Sequence, residues 1–550
     1  MDNRRLILLV IFSMSLVMLW DAWQKHNQPK ALATANATQS ATPTPTQSAP
    51  GTSPDKPAMA PAAVSAAERA KAPRLTVDTD MVHAEVSALG GDIVRLELKK
   101  HGANNAPDKP FVLFDDGRVH TYLAQSGLIG AGLPNHKTLF SLSQAKVVLK
   151  DGEEAVSVRL QAPEHDGVKI TKVLTFHRGS YVIDVGYEID NGGVSALGGH
   201  AYYQLTRDNK EAESTAGFFG GAQTYTGPAF YADAEKYTKI SFKEIEKKEA
   251  KLPKPASDGW VAMVQHYFVS AYAPKAGQRE FFTDELGGGL FTAGVIQPLA
   301  VIAAGQKATV SVPLYVGPQE QEKLSALAPG LDRVVDYGRL AIIAEPIFWC
   351  LSWLHKLVGN WGWAIIALTV LIKLAFFPLS AASYKSMAKM KTIMPRMKRI
   401  QEQYKDDRMK MNQEMMELYK KEKVNPMGGC WPMLIQMPVF IALYWVLLGA
   451  VEMRQAPWLG WITDLSLKDP FFVLPIIMGV TSLIQMKLSP SSPDPVQQKV
   501  MMFMPIFFTV MMAWFPSGLV LYWVVNNMLS IGQQWYITRM FGGDAKPANS

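Results

Sequence analysis

The chain has 550 residues, 48% of them hydrophobic, a formal net charge of +7 and a mean hydropathy of +0.02. Its basic residues gather beside apolar segments instead of forming one soluble face with interleaved aromatics, which excludes nucleic acid as the partner and points to lipid headgroups. The two cysteines, Cys350 and Cys430, fall on opposite sides of the topology predicted below and lack metal-ligand spacing, so neither a disulfide scaffold nor a metal centre is expected.

Taken in chain order, Arg4 and Arg5 precede the apolar run 6–20, with Trp20 and Trp23 at its end. This pattern predicts an uncleaved N-terminal transmembrane anchor over 1–23, because the Ala31-Leu32-Ala33 triplet lies too far beyond the apolar run to serve as a cleavage site. Residues 24–72 are rich in Ala, Thr, Pro, Gln and Ser, a composition that buries too little apolar surface to fold and predicts a flexible tether. Over 73–330 apolar and polar residues alternate, as in Val156, Val158 and Leu160, in Tyr181, Ile183, Val185, Tyr187 and Ile189, and in Val310, Val312, Leu314 and Val316. That period of two, broken at Asn191-Gly192-Gly193, predicts a large antiparallel β-sandwich. No nucleophile, metal or phosphate motif stands out within it. Residues 331–358 mix apolar stripes with Arg333, Arg339, Glu345, His355 and Lys356, which predicts an amphipathic helix lying in the membrane interface and broken at Pro346.

From 359 to 537 the chain carries five membrane-grade segments, at about 361–379, 431–450, 471–488, 499–515 and 519–537, none containing Asp or Glu. The loop 380–430 holds twelve Lys and Arg against six Asp and Glu, whereas 451–470 holds two against three. The positive-inside rule therefore places 380–430 and both termini, including the tail 538–550, in the cytoplasm, and the sandwich outside. The fold class is a multidomain membrane protein: an α-helical bundle of five spans plus an N-terminal anchor helix, with a large periplasmic β-sandwich domain.

One cation, Lys373, lies within the first of these five spans. A charge at that depth costs about 2.5–3.5 kcal/mol on insertion scales, and no carboxylate is present in the spans to offset it. Pro378 marks the cytoplasmic end of this span about 8 Å away, so a snorkelling lysine and a wet, positively charged cavity are the two readings. Polar residues on the other spans, Gln436, Gln485, Asn526, Asn527 and Gln533, with Thr369 one turn before Lys373, favour the cavity, although each alone reads as a helix-to-helix hydrogen bond. Trp523 completes the expected groove. Pro438, Pro475 and Pro505 interrupt the helices.

The cytoplasmic segment 380–430 reads as two amphipathic helices folded into a hairpin about the turn at 405–408, with Pro395 bending or starting a helix and Glu417 paired to Lys421. Met387, Met390, Met394, Met397 and Tyr404 recur at helical spacing on one arm, and Met409, Met416 and Tyr419 on the other. The stripe reads either as the seam of the hairpin or as a flexible, polarizable surface that receives varied apolar segments. The segment 499–515 adds Met501, Met502, Met504, Met511 and Met512.

At GNWGWAIIALTVLIKLAFFPL (359–379), YKSMAKMK (384–391), QEMMELYKKEKVNPMGGCWPMLIQMPVFIALYW (413–445), VEMRQAPWLGWITDLS (451–466) and FPSGLVLYW (515–523), the chain resembles the YidC-type membrane protein insertases of Gram-negative bacteria, relatives of the mitochondrial and chloroplast insertases. The resemblance covers essentially the whole chain. It implies a membrane insertase and chaperone that is not an enzyme, uses no cofactor, and works alone or with the Sec translocon on nascent membrane proteins. It also implies a hydrophilic groove with a positive residue in the second span counted from the N-terminal anchor, usually Arg and here Lys373, and a sandwich similar to galactose mutarotases without their chemistry. Some members dock the ribosome through a long basic tail, whereas this tail has only Arg539 and Lys546. Anionic lipids are the remaining expected partner. A transporter or channel is the alternative reading, but intramembrane carboxylates and internal repeats are not visible. A sugar-sensing envelope protein is the other. Ser386-x-x-Lys389 matches a short acyl-enzyme pattern only by chance.

Overall fold

The computed structural model describes residues 64–103, 106–117, 120–210, 224–405, 407–422, 424, 431–489 and 495–542. The expected anchor 1–23, the tether as far as 63, Cys430 and the tail from 543 lie outside the described residues. The end of the expected tether departs from flexibility. Ala66–Lys71 is a short helix because Ser65 and Glu68 form a reciprocal capping box, and Arg69 is buried with Nη1 donating to the Val64 carbonyl at 2.6 Å.

Two nine-stranded sheets follow. The first runs in the order Glu280–Gly287, Leu290–Pro298, His200–Asp208, Tyr122–Ile129, Ile93–Ala103, Val82–Ser87, Arg74–Asp78 and Lys146–Val148, with Ala106–Phe114 paired to Ile93–Ala103. The second runs Lys236–Lys239, Gly227–Ala232, Trp260–Val264, Phe268–Tyr272, Lys307–Pro318, Val182–Asn191, Val168–His177, Ala155–Gln161 and Ser141–Leu142. The pairings between these strands are antiparallel apart from that of Arg74–Asp78 with Lys146–Val148. The alternation read from the sequence is the cause. Ile183, Val185, Tyr187 and Ile189 face inward, and Val312 and Leu314 lie in register beside them. One apolar core collects Leu75, Val77, Leu96, Leu174, Phe176, Trp260 and Leu314 from both sheets, each side chain contributing about 1.5–3 kcal/mol by its burial.

Among the described residues, eight α-helices follow the sandwich's last short helix, Gln321–Leu327: α1 (Ala341–Val358), α2 (Trp361–Ala375), α3 (Phe377–Gln403), α4 (Arg408–Lys421), α5 (Trp431–Gly449), α6 (Val473–Leu488), α7 (Pro495–Met512) and α8 (Ser517–Gly542). The core shared by α1, α2, α5, α6, α7 and α8 holds Leu351, Ile365, Leu368, Leu443, Val446, Leu447, Met478, Met512, Leu519 and Val520. Trp349, Trp353, Phe503, Ile506, Phe507, Val510 and Trp535 point outward and stay exposed, an arrangement suited to lipid and not to water.

Several local expectations change. Pro346 lies inside α1 and does not break it. The carbonyl its ring leaves without a donor belongs to Ile342, which faces outward with 87% exposure. By length and composition α1 meets the requirement for crossing a bilayer alone, whereas the sequence predicts an interfacial helix; α2 and α3 meet it together as a bent pair, and α5 to α7 contribute shorter apolar stretches. Pro395 is accommodated within α3. The predicted span 361–379 ends early, at Ala375, and the chain turns by 66° into α3. Phe376, with φ −91° and ψ 8°, makes that turn, and Pro378 sits in the first turn of α3, where a missing N–H costs nothing.

Candidate functional site

The bend at Phe376 sets the site. Lys373 is in the last turn of α2, 7% exposed. Its Nζ donates to Ser530 Oγ on α8 at 2.7 Å. Ser530 is able to accept because its own proton goes to the Asn526 carbonyl four residues earlier, at 2.7 Å, which leaves two lone pairs. The Tyr384 hydroxyl, carried by α3 just beyond the bend, also lies beside Ser530. Among the described residues no carboxylate lies within 4 Å of Lys373, and no second protein acceptor meets its ammonium. Lys373 is therefore buried among the helices, with no counter-charge beside it among the described residues.

Beside it is a narrow recess with room for about one water molecule, lined by Ile372, Lys373, Phe376, Leu379, Ser380, Ile435 and Gln436. Gln436 on α5 donates from Nε2 to Tyr522 OH at 3.2 Å and to Asn526 Oδ1. One polar chain thus runs from Lys373 through Ser530 and Asn526 to Gln436 and Tyr522, linking α2, α8 and α5.

Of the groove residues expected from sequence, Lys373, Gln436 and Asn526 come together; four do not. Thr369 is fully buried and returns its Oγ1 to the Ile365 carbonyl of its own helix at 2.7 Å. Asn527 points to the other side of α8 and holds α6 through Ser482 Oγ at 2.8 Å and Thr481 Oγ1 at 3.2 Å. Gln533 lies farther along α8, away from the recess lining, with Oε1 buried and lacking a partner among the described residues. Trp523 meets Phe440 of α5 edge to face, 4.8 Å between ring centroids, and stacks on Phe508 of α7 at 6.2 Å. Ser530, Tyr384 and Ser380 were not expected. Their spacing held the signal, since Ser530 follows Asn526 by four residues, and Ser380 precedes Tyr384 by four.

The hairpin forms as two antiparallel arms, α3 and α4, with Asp407 capping α4 by accepting from the Lys410 N–H at 3.0 Å. Its seam joins Met390, Ile393 and Met397 to Met415, Leu418, Tyr419 and Val424, and Arg396 Nη1 donates to Glu422 Oε1 across it at 2.6 Å. Met387 and Met394 are half-buried. Met409 and Met416 are 85% and 54% exposed, because the packed stripe on α4 is the i, i+3, i+4 set at 415, 418 and 419. The expected Glu417–Lys421 pair does not close to ion-pair distance.

A second polar cluster lies in the middle of the sandwich. Lys172 Nζ meets Asp92 Oδ1 at 3.5 Å and the Gly90 carbonyl at 2.8 Å, and Gln125 Nε2 donates to Asp92 Oδ2 at 2.8 Å. Both groups are buried, which pushes the lysine down and the aspartate up from their ordinary values. Every partner is internal, so the cluster reads as structure.

Two family models match the chain: the YidC periplasmic domain over residues 74–350 and the 60Kd inner membrane protein over residues 353–544. Similar chains include the membrane protein insertase YidC of Aromatoleum aromaticum, 62% identical over all of both chains, and that of Dechloromonas aromatica, 54% identical over 100% of this chain and 99% of the relative. A crystal structure of an active YidC insertase with its first transmembrane domain resolved overlays 84% of this chain and 95% of its own at 17% identity and a TM-score of 0.41. A galactose mutarotase related enzyme from Lactobacillus acidophilus overlays 44% of this chain and 97% of its own at 8% identity and a TM-score of 0.30. Superpositions this loose carry no argument. With the two family models together matching most of residues 74–544 and full-length relatives above half identity, the chain belongs to the YidC family of membrane protein insertases, proteins of the bacterial inner membrane with a periplasmic domain.

Proposed function

We propose that this insertase uses the recess at Lys373 as the entry point for the polar flank of a nascent membrane protein. The observation that carries this reading is the ammonium of Lys373, held by one hydroxyl at 2.7 Å, with no carboxylate beside it and with Gln436 on the same recess wall. A short polar or acidic flank entering there meets a cation and amide groups instead of hydrocarbon, which lowers its desolvation cost. The apolar segment then leaves along α5 and α7, past Trp523 between Phe440 and Phe508, driven by burial of its own surface in lipid. The exposed Met409 and Met416 on the hairpin, with Met387 and Met394 beside the seam, offer a flexible first contact, while Met390 and Met397 hold the seam. In this reading Thr369, Asn527 and Gln533 support the helices around the groove.

The proposed topology has the anchor 1–23, the bent pair α2–α3, and α5 to α8 crossing the membrane, α1 at the outer interface, the sandwich outside and both termini in the cytoplasm. The charge asymmetry between 380–430 and 451–470 supports it. Work alongside the Sec translocon, contact with ribosomes and attraction of anionic lipids by the basic hairpin belong to the same proposal.

Insertion into vesicles reconstituted with the purified full chain, followed by protease protection, tests it. Lys373→Arg keeps the charge and retains insertion. Lys373→Glu lowers insertion of substrates with acidic translocated tails by roughly tenfold or more, given the cost of an uncompensated charge at this depth. Equal insertion by Lys373→Glu would remove the electrostatic step.

A further inference from the structure

The outer end of α5 is held by the sandwich. The Leu448 carbonyl, in the last turn of α5 and without an intrahelical donor, accepts a hydrogen bond from His266 Nε2 at 2.9 Å. Burial holds His266 below its ordinary pKa, so it is the neutral ring that donates. Six residues on, Arg454 Nη2 donates to the Gly102 carbonyl in the hairpin formed by strands Ile93–Ala103 and Ala106–Phe114. The Arg454 guanidinium also lies 5.4–5.9 Å from the ring centroids of Phe111, Phe268 and Tyr267. Gln455 has φ +57°, a left-handed conformation rare for a residue with a side chain. It is kept there with its Oε1 accepting the Gly102 N–H at 3.1 Å. Position 102 must be glycine for this approach, because a Cβ would lie 2.2 Å from the Pro107 carbonyl oxygen and 2.8 Å from Gln455 Nε2.

The two ends of α5 differ in packing. Leu443, Val446 and Leu447 near the sandwich are at most 1% exposed, whereas no residue from 435 to 441 is buried and Met437 is 41% exposed. We propose that His266, Gly102, Arg454 and Gln455 form a latch by which the sandwich fixes the outer end of α5, making that end the pivot about which the groove end carrying Gln436 moves. The pivot rests on the groove reading above; the latch does not. The partner of the loop after α5 is thus the sandwich of the same chain, and Arg454 is a positioning residue for the groove wall.

Amide hydrogen exchange on the full chain in lipid nanodiscs tests the latch. Arg454→Met and Gly102→Ala, more than three hundred residues apart in sequence, each speed exchange over 448–456 by about tenfold, the loss expected when a charge-assisted hydrogen bond goes. Exchange in α6 to α8 stays unchanged, and the double variant is no faster than the faster single one. Unchanged exchange at 448–456 in Arg454→Met overturns the latch, as does a uniform rise across the whole bundle. Spin labels at Met437→Cys and Met528→Cys, in a chain carrying Cys350→Ser and Cys430→Ser, test the pivot. Their distance distribution broadens in Arg454→Met; faster exchange with an unaltered distribution overturns the pivot while leaving the groove reading to the Lys373 variants.

Discussion

Glu452 sits in the short turn Val451–Met453 beside this contact, with Oε2 buried and lacking a partner among the described residues. Burial, reinforced by Glu320 and Glu322 at the start of the Gln321–Leu327 helix, raises its carboxyl from 4.5 to about 7. The nearby cations are engaged: Lys323 pairs with Glu320 at 2.7 Å, Lys356 with Glu322 at 2.8 Å, and Arg454 turns to Gly102. Tyr315 and Tyr337 face it as neutral phenols. Because the folded chain binds this proton more tightly than the unfolded chain, stability is fully present below pH 4.5, falls as pH rises toward 7, and stays reduced above it. The interval from 4.5 to about 7, at about 1.36 kcal/mol per pH unit, corresponds to about 3 kcal/mol as an upper limit. Glu452→Gln removes the ionisation, and its added donor costs about 1 kcal/mol if left without a partner, so the variant gains about 1–2 kcal/mol at pH 8. It has no advantage at pH 4.5. Thermal unfolding of the full chain in nanodiscs, followed by tryptophan fluorescence between pH 4.5 and 8.5, reads this directly. Parallel pH profiles for the two chains would refute a buried, proton-binding Glu452.

Two more perturbations follow from the sandwich. Lys172→Met strands Asp92 in the core and destabilises the domain by roughly 3–5 kcal/mol, while adding Asp92→Leu restores most of it; thermal melts of the three chains check this, and equal melts for both variants contradict it. Deleting residues 75–320 leaves insertion largely intact, since Lys373, Gln436, Asn526, Ser530 and the hairpin all follow residue 330, but speeds exchange at 448–456. Loss of insertion by a deletion that is still membrane-integrated would give the sandwich a direct part in the reaction.

The strands were legible because one face of each packs on the core, as at Ile183, Val185 and Tyr187. Where both faces are covered the alternation vanishes: His200–Asp208 is buried along almost its whole length, and nothing in its order of residues marks the inner side. The helices were legible as apolar runs, but the bend at Phe376 was not, because Pro378 signals either the end of one helix or the start of another. That ambiguity hid Ser380, which lines the recess, and Tyr384, which comes beside Ser530, both because α3 begins at the turn. Lys373 itself stood out as a cation without a counter-charge. Asn526 and Asn527 are adjacent and chemically identical, and only the rotation of α8 sends one to the recess and the other to α6. The contact of Arg454 with Gly102 spans the sequence too widely to be read from local pattern.

Helix α3 begins beside the membrane cation and ends at the hairpin turn. Its 27 residues make a rod of about 40 Å, carrying Ser380 and Tyr384 at one end and Met397 at the other. Tilting a stiff lever displaces both its tips, so a shift of the hairpin end of α3 also shifts the end that carries Ser380 beside Lys373.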